Sequence, residues 1–243
     1  MKSLSWYSIG HGIIKWWVLH EHSVIAMLGA HDATLGTTGS VFLNSALFAL
    51  ALFGLWRIES RLDSGRTMIA LALLATAGIA GRILLEPLPN ISPVTVLVFL
   101  AGAHFGARHG IALATIITIG SNVVLGHGLW TLYQAVGWSM IAVAGACLAT
   151  WLIDAQGKLN LNRLLVSGFA LGFAFDWFVS LSVLHTQPLS YLPAYLAQGF
   201  VYDLVHAFGN LAFAAWLGAP VSEMLKRHYS VNLEAVKNVP VVV

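Results

Sequence analysis

The residues able to do chemistry in this chain are those that break its apolar runs. Arg82-Ile-Leu-Leu-Glu86-Pro-Leu-Pro-Asn90-Ile-Ser-Pro93 sets an arginine, a glutamate and an asparagine between two membrane-like segments. Ionisable groups at such a position are costly unless they have a task. A second break, Ser121-Asn122-Val-Val-Leu-Gly-His127-Gly-Leu-Trp130-Thr131, is expected to emerge on the same side, so that the two form the rim of a binding site. Arg82 has three readings: a snorkelling cation, a ligand anchor, or a partner of Glu86 one helical turn on. Asn90, between prolines, is either a turn former or a hydrogen-bonding group. Asn122, Thr131 and Gln134 offer donors and acceptors that suit an uncharged polar ligand. Gly126 and Gly128 flank His127 and let backbone approach a ligand closely. Asp176 lies mid-segment between Phe175 and Trp177, where a carboxylate needs a partner. Asp203 and His206 lie about one turn apart, close enough to pair with each other or to share a ligand.

The elements that must position these groups are apolar. Of 243 residues, 58% are hydrophobic and 9% charged, and the mean hydropathy is +0.80. A soluble domain carries about a quarter charged residues. A net charge of +2 gives no reason to expect nucleic acid. Apolar segments run over 41–56, 67–85, 93–106, 109–125, 131–153, 163–184 and 197–218. In a bilayer a spanning segment satisfies its own backbone, so helices are expected throughout. The third and fourth segments are short and separated only by Gly106-Ala-Arg-His109, which predicts a tight helical hairpin.

Basic residues orient the bundle. Arg57, Arg61, Arg66, Arg108, Lys158, Arg163, Lys226 and Arg227 fall on one side if the segments from 67 to 218 alternate. The loops 86–92, 126–130 and 185–196 carry no Lys or Arg. The basic side is therefore expected in the cytoplasm. The chain divides into an extension, 1–66, with one or two membrane-associated helices, a six-helix core, 67–218, and a cytoplasmic tail, 219–243. The fold class is an all-α polytopic helical membrane protein. No cleavable signal peptide is expected, because His11, Lys15, His20, Glu21 and His22 interrupt the first apolar run. Cys147, the single cysteine, reads as a small buried packing residue. Trp130, Trp138, Tyr191 and Tyr195 read either as an interfacial belt or as the mouth of a pocket.

One pattern runs through Arg82, Pro89-Asn90-Ile-Ser-Pro93, Gly102, Gly106, Gly110, Gly120-Ser121-Asn122, Gly126-His-Gly128, Trp130-Thr131, Gln134, Trp138 and Gly145. It resembles the membrane-embedded, substrate-binding S components of energy-coupling factor (ECF) vitamin transporters, the cobalamin type most closely. The long N-terminal extension and His127, where a glutamine is usual, depart from the common pattern. The resemblance implies a six-helix core in a prokaryotic plasma membrane that binds a vitamin-like ligand from outside. It implies association with a transmembrane coupling protein and two ATPase subunits. It also implies that a small-residue stripe on the first core helix, here Ala72, Thr76 and Ala80, contacts the coupling protein. From spacing alone those residues equally suit ordinary helix packing, as do Gly102, Gly106 and Gly110.

The expected substrate-binding set is Arg82, Glu86, Asn90, Asn122, His127, Trp130, Thr131, Gln134, Trp138, Asp176, Asp203 and His206. No catalytic residue, resident metal or cofactor is expected, and no Walker-type glycine loop is present. A competing reading is an intramembrane metal-dependent enzyme or metal permease built on the histidines, His20, His22 and His31 among them, and on the aspartates. A third is a purely structural membrane subunit.

Overall fold

The computed structural model describes Phe42 and residues 65–237. Apart from Phe42, the N-terminal extension up to residue 64, with its histidines at 20, 22 and 31 and its basic residues at 57 and 61, lies outside the described residues. Within 65–237 the chain is helical: α1 (Gly65–Leu84), α2 (Val94–Phe105), α3 (Ala107–Leu125), α4 (Leu129–Cys147), α5 (Leu161–Ser180) and α6 (Leu192–Lys237). A helical turn, Ala149–Leu152, follows α4, and two 3₁₀ turns, Leu181–His185 and Leu189–Tyr191, lead into α6. An isolated bridge between Ile153 and Leu159 closes the α4–α5 connection.

Local chemistry sets the boundaries. Gly106, at φ 83°, ends α2 and opens α3, so the expected hairpin forms around a single residue. Gly126, at φ 95°, ends α3. Both sit in backbone conformations that side chains with a Cβ rarely adopt. Asn160 caps α5, its side-chain oxygen accepting from the Arg163 N–H at 3.1 Å. Pro220 lies inside α6, which continues to Lys237 rather than stopping near 218.

Among the described residues four helical stretches are long and apolar enough to cross a membrane: Thr67–Leu84, Ala107–Leu125, Leu161–His185 and Leu189–Arg227. The chain is thus a helical membrane protein. α2 is apolar but only 12 residues long, about 18 Å at 1.5 Å per residue against a hydrocarbon core of ~30 Å. It occupies the centre of the bundle and packs against all five other helices, while α1, α3, α4, α5 and α6 close a ring around it. Every residue from Val94 to Gly102 is buried. A helix shielded from lipid by its neighbours has no need to span.

Glycine permits that central position. A Cβ on Gly102 would overlap the Ala142 carbonyl of α4, and one on Gly145 would overlap the Phe99 carbonyl of α2. Between apolar helices in lipid, close van der Waals packing of this kind drives association. The 102–110 spacing therefore serves packing within the bundle. The stripe on α1 does not: Ala72 and Thr76 are exposed and Ala80 is half-buried. Cys147, expected to be buried, is exposed, because α4 ends there.

Candidate functional site

At one end of the bundle the C-termini of α1, α3 and α5 meet the N-termini of α2, α4 and α6. Each of the six helices contributes a polar side chain to one network there.

Asn122, 1% exposed, is its centre. Its Oδ1 accepts from Arg82 Nη1 at 2.9 Å. Its Nδ2 donates to Thr131 Oγ1 and to Gln134 Oε1, both at 3.0 Å. Arg82 Nη1 also donates to Ser121 Oγ at 2.5 Å. The guanidinium lies over the Trp138 ring, 4.8 Å from its centroid. Arg82 therefore turns inward and does not snorkel. The expected pair with Glu86 does not form: α1 ends at Leu84, and Glu86 is an exposed turn residue with no ion pair among the described residues.

Trp138 carries the network onward. Its indole N–H donates to Thr95 Oγ1 of α2 at 3.2 Å, and its ring stacks on Phe175 with centroids 4.5 Å apart. Thr95 Oγ1 lies 3.3 Å from His206 Nε2, and His206 Nδ1 lies 3.0 Å from Asp176 Oδ2. An Nδ1–H imidazole satisfies both contacts, donating to the carboxylate and accepting from the threonine hydroxyl. Asp176 Oδ2 also accepts from Asn90 Nδ2 at 3.0 Å, and Asn90 Nδ2 reaches the Tyr202 carbonyl at 3.2 Å. Asn90 holds φ 58°, so it is a turn former and a network member at once; asparagine tolerates that conformation better than most residues. The expected pairing of Asp203 with His206 is replaced by the cross-helix pair Asp176–His206. Asp203 accepts instead from Trp177 Nε1 at 3.0 Å.

Besides Glu86 and Asp203, two more members of the expected set stand apart from the network. His127 has no partner for its shielded Nδ1 among the described residues, and burial lowers its pKa, which favours the neutral imidazole. Trp130 folds its ring back over Gly128, where a Cβ would collide with it. Of the aromatics in question, Trp138 is interior rather than interfacial, at 3% exposed. Thr95 was not in the expected set, yet it is the link between the two halves. Thr115 and Thr118 bond their own i−4 carbonyls; Thr95, the second residue of α2 after Pro93, has no helical carbonyl at i−4, and that position is the signal that could have found it.

Two open grooves lie on the outer faces, away from the network's centre. One, about 560 Å³, lies between α3 and α4 and is lined by Ile111, Leu132, Val136 and Met140. The other, about 450 Å³, is lined by Trp177, Leu196, Ala197 and Phe200. Among the described residues no three His, Cys, Asp or Glu side chains converge as metal ligands would. The opposite end of the bundle is basic. There the Gly157 turn lies against the Lys226 side chain, and Arg108 and Lys158 are exposed.

No family model, curated protein or solved structure matches the chain.

Proposed function

We propose that this chain is the substrate-binding membrane component of an ECF-type importer. It captures a vitamin or vitamin precursor, cobalamin-like by the sequence resemblance, from outside a prokaryotic cell. It hands the ligand to a transmembrane coupling protein driven by two ATPase subunits, and it is not itself an enzyme. In this reading all six helices of the core lie in the bilayer. The network end faces outward and the basic end faces the cytoplasm.

The observation that carries the reading is the convergence of polar groups from all six helices at the end of the bundle poor in basic residues. Ionisable groups such as Arg82 and Asp176 inside an apolar bundle mark functional sites by default. Within the bundle they pair with one another. A ligand rich in donors and acceptors would exchange these contacts for its own. The exposed face of Ala72 and Thr76 supports the same reading, since it is available to a partner helix.

Native mass spectrometry of the full chain purified from cells grown in rich medium, with an absorption spectrum of the same sample, tests the proposal. A co-purifying organic molecule is the expected result, and a corrin spectrum would name its class. A transition metal bound without any organic ligand would overturn the proposal in favour of a metal permease or metalloenzyme.

A further inference from the structure

Among the described residues Arg82 has no counter-charge. Its three contacts, Ser121 Oγ, the Asn122 side-chain carbonyl and the Trp138 ring, are all neutral. Ser121, Asn122 and Trp138 are buried, so the guanidinium head lies in a region of low dielectric. Among the described residues the ion pairs are Asp176–His206 and Glu223–Arg227, and neither involves Arg82. Asp176 is held by His206 and Asn90, Asp203 is held by Trp177, and Glu86 is exposed.

The guanidinium is also only half used. Nη1 makes both hydrogen bonds. The Nε and Nη2 edge has no partner among the described residues, and the side chain is only partly buried. That edge presents two parallel N–H groups, the geometry that matches a carboxylate or phosphate side-on. The α4 N-terminus lies on the Nη1 side, where Asn122 links Arg82 to Thr131, which also accepts from the Gly128 N–H.

We infer that the free edge of Arg82 is an anion subsite that takes a carboxylate or phosphate group. This rests on the binding reading above and changes its chemistry. The amides of Asn122 and Gln134 by themselves suit a neutral ligand; the free edge of Arg82 favours one that carries an oxyanion. The same chemistry is available from a free ligand and from the headgroup of an anionic phospholipid.

The test uses the full chain in phosphatidylcholine nanodiscs. Its thermal midpoint is followed against inorganic phosphate and against acetate, with chloride at matched ionic strength as reference. A parallel sample uses nanodiscs containing phosphatidylglycerol. The expected result is a rise of at least ~2 °C in phosphate or acetate over chloride, absent in Arg82→Gln and partly retained in Arg82→Lys. The Arg82→Gln control separates this from the general stabilising action of phosphate salts. If Arg82→Gln does not fold, the wild-type comparison of acetate with chloride decides, with Arg82→Lys keeping the charge. A rise with phosphatidylglycerol alone supports the subsite and assigns it to lipid. Equal midpoints in all anions and both lipids would overturn it, as would an Arg82→Gln response equal to wild type. A neutral co-purified ligand held equally by Arg82→Gln would remove the subsite and leave the binding reading intact. An anion response in a chain that never carries an organic ligand would do the reverse.

Discussion

Asn122 bonds side chains of two other helices, Arg82 of α1 and Thr131 and Gln134 of α4, which makes it the most informative residue to change. Asn122→Ala removes the acceptor for Arg82 and the donor to Thr131 and Gln134 at once. Interhelical hydrogen bonds in membranes are individually modest, roughly 0.6 kcal/mol on average and at most ~2, so the variant should insert and fold with a loss on the order of 1–2 kcal/mol. Its binding of the co-purifying ligand should weaken by at least about tenfold, equivalent to 1.4 kcal/mol, as read by ligand retention in native mass spectrometry. Unchanged retention would take Asn122 out of the site. Asn122→Asp makes a sharper distinction. It gives Arg82 a carboxylate in place and should keep or raise the thermal midpoint while abolishing the response to phosphate and acetate. A preserved anion response would show that Arg82 is not the group that meets the anion.

At the scale of the helix, the α2–α4 contact is the one least able to yield, because the residues in the way are backbone. Gly102→Val places a branched side chain against the Ala142 carbonyl. Overpacking of a tight core costs about 1–3 kcal/mol and sometimes more, so the variant should run as an aggregated or broadened peak in detergent, whereas Gly65→Val, with open space around it, should not. The exposed face of α1 gives the opposite expectation. The Thr76 hydroxyl is satisfied by the Ala72 carbonyl at 2.9 Å and the residue is exposed, so Thr76→Trp should leave folding and ligand retention unchanged while abolishing uptake in cells; normal uptake would show that no partner helix uses this face. These elements were legible in the sequence to different degrees. The α2–α3 hairpin was, because Gly106 between two apolar runs has one economical conformation. The central place of α2 was not, because an unbroken apolar run looks the same whether it faces lipid or five helices. The end of α6 was missed because falling hydropathy after 218 marks the edge of the apolar zone, not the end of a helix. Glu86 was misplaced because i,i+4 spacing brings side chains together only inside a helix, and α1 stops at Leu84. Asn122, Gln134 and Asp176 were legible because an amide or carboxylate inside an apolar run has few reasons to be there, whereas Thr95 was passed over because a small hydroxyl in an apolar run draws no notice, although its place in the first turn of α2 leaves it no i−4 helical carbonyl.

For the molecule as a whole, the proposal turns on which end faces outward, and charge and geometry agree on how to ask. The turns at the network end, residues 86–92, 126–130 and 185–196, have no Lys or Arg, while Arg108, Lys158, Arg163, Lys226 and Arg227 gather at the other. Lys and Arg near membrane ends are retained on the cytoplasmic side, so the network should open outward. Gln187 and Gln156 are exposed residues at the two ends, and both can be replaced without disturbing a buried contact. Cys147 is exposed and must first be changed to serine so that it does not react. In that background, Gln187→Cys should be labelled by a membrane-impermeant maleimide on intact cells, and Gln156→Cys only after permeabilisation. The converse pattern would put the network at the cytoplasmic mouth, where a ligand captured from outside could not reach it, and would reverse or remove the uptake role. Labelling of both from outside would break the alternation of helices on which the orientation rests. Only the expected pattern leaves Arg82, Asn122 and Asp176 facing the side from which an importer must draw its ligand.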